Sequence, residues 1–145
     1  MPKSADRTRI VVEGKRASAV SRQLWTGLMV YNRGKVGNAR YVRKVVSARD
    51  AKGKLIGGCI VQCYWLECYV ELLWLSPDAR RKRTGSKLIQ AAEKIARERG
   101  ARHIHLNTFS FQAPRFYEKQ GYRRFGTLSG SPKGQSRYFY VKRLR

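Results

Sequence analysis

From Leu73 to Ser86 the chain reads Leu-Trp-Leu-Ser-Pro-Asp-Ala-Arg-Arg-Lys-Arg-Thr-Gly-Ser. An apolar strand gives way to a basic loop, and the loop opens directly into a helix. From Gly85 to Arg99 the residues Leu88, Ala92, Ile95 and Ala96 fall on one helical face, and Gly100 stands where a left-handed stop is expected. A strand that feeds a helix through a glycine-bearing loop leaves the N–H groups of the first helical turn unpaired. With the positive end of the helix dipole they form a site for an anion. Four consecutive cations, Arg80 to Arg83, add charge there. A solvated basic loop or a nuclear-localisation patch would use the same residues.

The rest of the chain supplies a sheet. Thr8–Glu13 reads as an edge strand, and Ala17–Tyr31 as a helix that stops near Gly34. Tyr41–Ala48, Leu55–Trp65 and Cys68–Leu75 form an antiparallel meander with turns at Asp50–Gly53 and Leu66–Glu67. After the amphipathic helix come a strand over His103–Thr108 and a short helix begun by Pro114 that ends before Gly121. Two strands, Tyr122–Leu128 and Ser136–Arg143, flank a turn at Ser129–Gly134. The order β-α-βββ-α-β-α-ββ predicts an α/β fold with one mixed, mostly antiparallel central sheet flanked by helices. At 145 residues, 42% of them hydrophobic, residues 1–145 are expected to form a single domain. Aromatic content of 11% argues against disorder.

The longest apolar stretch, residues 55–66, is interrupted by Gly57, Gly58 and Gln62 and is too short to span a membrane. No signal peptide is visible at the N-terminus, and the three cysteines Cys59, Cys63 and Cys68 are an odd count. Both features predict reduced thiols and a cytoplasmic location. The formal charge of +23 is spread along the chain with no detachable basic arm. It predicts attraction to polyanions, with nucleic acid or ribosome contact through the basic surface.

Three further residue groups are candidates for chemistry. Glu71 is one of nine acids and lies in an apolar strand, so it either pairs with a cation, titrates high, or works as a base. Tyr117 follows Phe116 and so points elsewhere on the short helix; it is either packing or catalytic. His103 and His105 share a strand face, but no metal-binding spacing accompanies them, and no metal is expected.

Taken together, ELLWLSPDARRKRTGSKLIQAAEKIARERG, HIHLNTFSFQAPRFYEKQGY and SRYFYVKRL resemble the GNAT superfamily of N-acetyltransferases. The family's (Q/R)-x-x-G-x-(G/A) pattern falls on Arg80, Arg83 and Gly85, and its A-x-x-x-Y-x-x-x-G-(F/Y) pattern on Ala113, Tyr117, Gly121 and Tyr122. The resemblance implies acetyl-CoA as co-substrate and direct attack by an amine in a ternary complex. It implies a pyrophosphate cradle over Arg80, Arg81, Lys82, Arg83, Thr84, Gly85 and Ser86, with backbone groups of Leu73 and Leu75 along the pantetheine. By the same resemblance Tyr117 is the general acid and Glu71 a base for the acceptor amine. Arg83 departs from the family's glycine, and Ser110 from a common asparagine. An acceptor amine on an anionic carrier or an acidic metabolite suits the charge. The alternative is a degenerate fold of this type that binds nucleic acid without chemistry. A homodimer is left open.

Overall fold

Residues 7–145 are described by a computed structural model. The chain falls into two compact units, divided between Ala39 and Arg40. The first holds helix α1 (Ala17–Val36), which runs through Gly27 and ends at Gly37, whose φ of 84° suits a glycine. No α1 residue is buried. Residues 8–13 form no strand, and Ile10, Val11 and Val12 stay exposed. This corrects the reading of an edge strand there: three β-favouring residues make a strand only where a neighbour supplies a ladder.

The second unit carries the sheet. Its elements are β1 (Val42–Arg49), β2 (Leu55–Tyr64), β3 (Glu67–Leu75), α2 (Thr84–Glu98), β4 (His103–Phe109), α3 (Pro114–Lys119), β5 (Arg123–Ser129) and β6 (Ser136–Arg143). The six strands lie in the order β1-β2-β3-β4-β6-β5. All neighbours are antiparallel except β3 and β4, which α2 links in parallel. The core forms where the apolar stripe of α2 (Leu88, Ile89, Ala92, Ala96) meets Cys59, Val61, Val70, Ile104 and Leu106 from the sheet. Glu93, on the same helix and 5% exposed, is not left as an isolated charge. Its Oε1 accepts from Lys142 Nζ at 2.8 Å and from the Tyr122 hydroxyl at 3.2 Å, tying α2 to the last strand.

Two irregularities of this sheet create a cleft and aim side chains at it. The parallel ladder lasts only from Glu67↔His103 to Tyr69↔His105, so β3 and β4 part company over their C-terminal halves. In the β2–β3 ladder, Val61 pairs with Val70 and Ile60 with Leu72, which leaves Glu71 as the extra residue of a bulge. The bulge changes the alternation. Val70 points into the core, Glu71 and Leu72 are both exposed, and Leu73 and Leu75 then turn back toward the core.

Cys63 and Cys68 are not the thiols expected from the odd count. They face each other across the β2–β3 hairpin, with Cα atoms 4.1 Å apart, and form a disulfide. The register decides this, because a directly opposed pair on one face brings its side chains together. Cys59 remains a free, buried thiol, which burial pushes up to about 11.

Candidate active site

A cleft of about 670 Å³ opens where β3 and β4 separate. That volume lies within the range of small-molecule sites. Glu71, Leu73, Leu75, Arg80, Arg81, Gly85 and Tyr117 all line it, together with residues of β4 and the following loop. Residues from two sequence regions some thirty to forty-five positions apart thus share one cavity.

One end is the loop into α2. After a 3-10 turn at Pro77–Ala79, Arg81 and Arg83 adopt φ of 62° and 61°. This is the left-handed region, which L-residues enter at a cost. Alternating left-handed residues turn successive N–H groups toward a common point, a concave arrangement suited to phosphate oxygens. Arg83 is the N-cap of α2 and makes no side-chain capping bond; Lys87 N–H closes the first turn onto its carbonyl at 3.0 Å. The N–H groups of Thr84, Gly85 and Ser86, in that first turn, have no intrahelical acceptor, as at any helix start. A Cβ on Gly85 would lie 3.3 Å from the Phe116 ring and 3.4 Å from Leu75 Cδ1, so glycine there lets helix, strand and α3 meet closely. The Ser86 hydroxyl accepts from Gln120 Nε2 at 2.9 Å, fastening this end of α2 to the end of α3. Lys82 is exposed at the tip of the loop. The left-handed bends, the helix start and the cationic run make a concave, positively charged end suited to phosphate oxygens. The slot between the parted strands leads from it toward Tyr117.

Tyr117 sits on α3, whose entry is shaped by side chains of the β4 end. Gln112 Oε1 accepts from Phe109 N–H at 2.8 Å, and Ala113 N–H donates to Thr108 Oγ1 at 3.4 Å. Beyond the helix, Gly121 takes φ of 89° and Tyr122 N–H returns to the Tyr117 carbonyl at 3.0 Å. The Tyr117 ring packs edge-on against Phe116 and Tyr122. Burial pushes its phenol up to about 12, so it stays protonated throughout the neutral range.

Glu71 lines the same cleft from β3. Its apolar neighbours suggest an embedded carboxylate, but the bulge turns it outward to meet two partners. Arg43 Nε donates to Oε2 at 3.1 Å and Arg43 Nη2 to Oε1 at 3.3 Å, a two-point fork. Gln62 Nε2 donates to Oε2 at 2.8 Å. The Arg43 bonds, then Gln62, hold the Glu71 carboxyl below its ordinary range, so Glu71 pairs with a cation and does not titrate high. One acceptor direction on Oε1 is still open. Sequence reasoning missed Arg43 and Gln62, which lie 28 and 9 positions away; the only signal was the meander register. It also missed the role of Ser110. That hydroxyl accepts from Ser136 N–H at 3.0 Å and bonds Gln135 Oε1 at 2.5 Å, tying the β4 end to the start of β6. His105 stacks on Tyr69 with ring centroids 5.2 Å apart and lies 3.8 Å from Glu67.

A family model described as an acetyltransferase (GNAT) domain matches residues 41–124. The blasticidin-S acetyltransferase of Streptomyces morookaense is 38% identical over 94 residues, 64% of this chain and 69% of that one. An acetyltransferase from Bacillus cereus, solved by crystallography, is 32% identical with a TM-score of 0.83, covering 94% of this chain and 98% of its own. An acetyltransferase from Bacillus anthracis, solved in complex with acetyl coenzyme A, shares the fold at 22% identity and a TM-score of 0.64, over 71% of this chain and 63% of that one. With a cleft between parted parallel strands, an anion cradle at the start of α2 and a GNAT domain match over more than half its length, the chain belongs to the GNAT superfamily of acetyltransferases.

Proposed function

We propose that this acetyltransferase carries the acetyl group of acetyl-CoA to a primary amine by direct attack in a ternary complex. The observation that carries the reading is the sharing of one cleft by Tyr117, Glu71 and, from the loop into α2, Arg80, Arg81 and Gly85. When bound, acetyl-CoA supplies an activated thioester. Backbone N–H groups from Arg81 to Ser86 hold its pyrophosphate, aided by the cationic side chains, and backbone groups of Leu73 and Leu75 align the pantetheine and polarise the acyl oxygen. Glu71, kept ionised by Arg43 and Gln62, takes the proton of the attacking amine, through water. As the new C–N bond forms and the C–S bond breaks, Tyr117 gives its proton to the sulfur. The protonated phenol is the form this step needs.

The acceptor we favour carries its amine on an anionic framework, such as an anionic carrier or an acidic metabolite, because a charge of +23 repels free polyamines and concentrates anions. A second reading, an amine-bearing antibiotic, rests on the 38% identical blasticidin-S acetyltransferase. No observation favours the non-catalytic nucleic-acid-binding alternative. The test is calorimetry with acetyl-CoA, followed by CoA release over an amine panel that includes blasticidin S, amino acids and free polyamines. Saturable acetyl-CoA binding with turnover of at least one amine is expected. Absence of both would overturn the reading.

A further inference from the structure

The outer face of the sheet, opposite α2, carries a second polar chain across the gap from Glu71. Tyr69, Asn107 and Arg137 occupy neighbouring strands and share that face. Asn107 Nδ2 donates to the Tyr69 hydroxyl at 3.1 Å, and Arg137 Nε donates to Asn107 Oδ1 at 2.8 Å. The Arg137 guanidinium also stands 5.3 Å from the Phe109 ring centroid and 5.6 Å from that of Phe139. Asn107 and Phe109 both line the cleft, so Arg137 is fixed beside it by two of its walls. Ser110 and Gln135 brace the start of β6 just before it.

Arg137 is part-buried, yet among the described residues no carboxylate pairs with it, and only its Nε has a hydrogen-bond acceptor. Arg43, on the same face, is used by Glu71. A guanidinium held by ring faces and one amide, with its terminal nitrogens unspent, is set up to receive a carboxylate or phosphate in two-point fashion. Removing a cation from water without such a partner is otherwise unfavourable.

We infer that Arg137 binds an anionic group of the acceptor, so that the acceptor presents an amine toward Glu71 and a carboxylate or phosphate toward β6. The inference rests on the acetyl-transfer reading for the amine but not for the anion contact. It is tested with two matched pairs, L-lysine against its methyl ester and phosphoethanolamine against ethanolamine. Both pairs are followed by CoA release and, separately, by calorimetric binding to the protein–CoA complex.

The anionic member of at least one pair should be favoured about tenfold to a hundredfold, the range of a charge-assisted bond. The preference should appear in KM and in binding, and which pair shows it separates carboxylate from phosphate. In Arg137→Gln the preference should fall close to one, while Arg137→Lys keeps part of it. Lys52→Gln, an equal loss of charge in the Asp50–Gly53 turn, should retain it, which separates a local contact from the general field. No preference in either pair, or one that survives Arg137→Gln, overturns the inference. If no amine turns over but anion-dependent binding is lost with Arg137, the catalytic reading fails and this one stands.

Discussion

Arg83 occupies a position where the backbone asks for glycine. Its φ of 61° explains the glycine of the family pattern better than side-chain obstruction does. Two effects of Arg83→Gly therefore point in opposite directions. Relief of the left-handed conformation is worth about 1 kcal/mol, so the thermal midpoint should rise by a few degrees in scanning calorimetry. Loss of the cation should weaken acetyl-CoA binding at least several-fold, since a charged hydrogen bond contributes about 1.5–3 kcal/mol. A variant that binds more tightly would mean the side chain only obstructs. Tyr117→Phe should keep acetyl-CoA affinity and lower kcat by about 10²-fold or more; unchanged turnover in the folded variant would remove the hydroxyl from the mechanism. The raised phenol also has a consequence for stability. Its contribution is full below the ordinary tyrosine value of 10.0 and is lost as pH rises through about 12. For Glu71 the shift runs the other way, so its carboxylate stays ionised below the ordinary value of 4.5. Glu71→Gln should slow turnover by about a hundredfold near neutral pH, with partial rescue as the amine deprotonates at higher pH. In Arg43→Gln the acid limb of kcat/KM should move upward in pH, whereas a purely structural pair would leave that limb in place.

At the scale of elements, β2 is where packing is least forgiving. A Cβ on Gly58 would come within 2.6 Å of the Val46 carbonyl oxygen, and one on Gly57 within 2.8 Å of the Trp74 carbonyl oxygen. These contacts are with backbone, so side-chain rotation cannot relieve them. Gly58→Ala should cost about 1–3 kcal/mol, read as a lower urea midpoint. Because β2 pairs with β1 on one side and faces the β3 bulge at Glu71 on the other, the same variant should also disturb the Arg43–Glu71 pair. The bulge itself explains how one strand serves two surfaces. It gives Leu73 and Leu75 to the core side while Glu71 stays with Gln62 on the outer face.

For the whole molecule, the chain carries a net charge of +23, and the co-substrate proposed for it is multiply anionic. Attraction of that kind raises the rate of encounter and weakens as salt shortens the Debye length to about 8 Å at physiological ionic strength. The kcat/KM for acetyl-CoA should fall as salt is raised, while kcat measured at saturation changes little. Salt-independent capture would mean that the binding energy comes from the cradle alone. Were nucleic acid bound, charge spread this widely would hold it through many weak contacts. Losing any one of them should therefore lower the salt slope of RNA binding by only about one.

Most elements were legible because their patterns are local. The stripe Leu88, Ala92, Ala96 with Gly100 defines α2, and Ser136–Arg143 reads as β6 from its own composition. The junction at Arg80–Gly85 was legible as a loop feeding a helix for the same reason: the exposed N–H groups of a helix start need no distant residue. Residues 8–13 and the pair Cys63–Cys68 were misread because a strand and a disulfide both depend on what lies opposite. Sequence spacing likewise could not tell an embedded Glu71 from one turned outward, since a bulge is a property of two registers rather than of one strand. Local pattern was thus enough for the succession of strands and helices from α1 onward. Which side chains meet was settled by strand pairing instead. The Arg43–Glu71 fork, the Asn107–Arg137 contact and the shared cleft all join residues far apart in the chain, and only the assembled sheet brings them within reach.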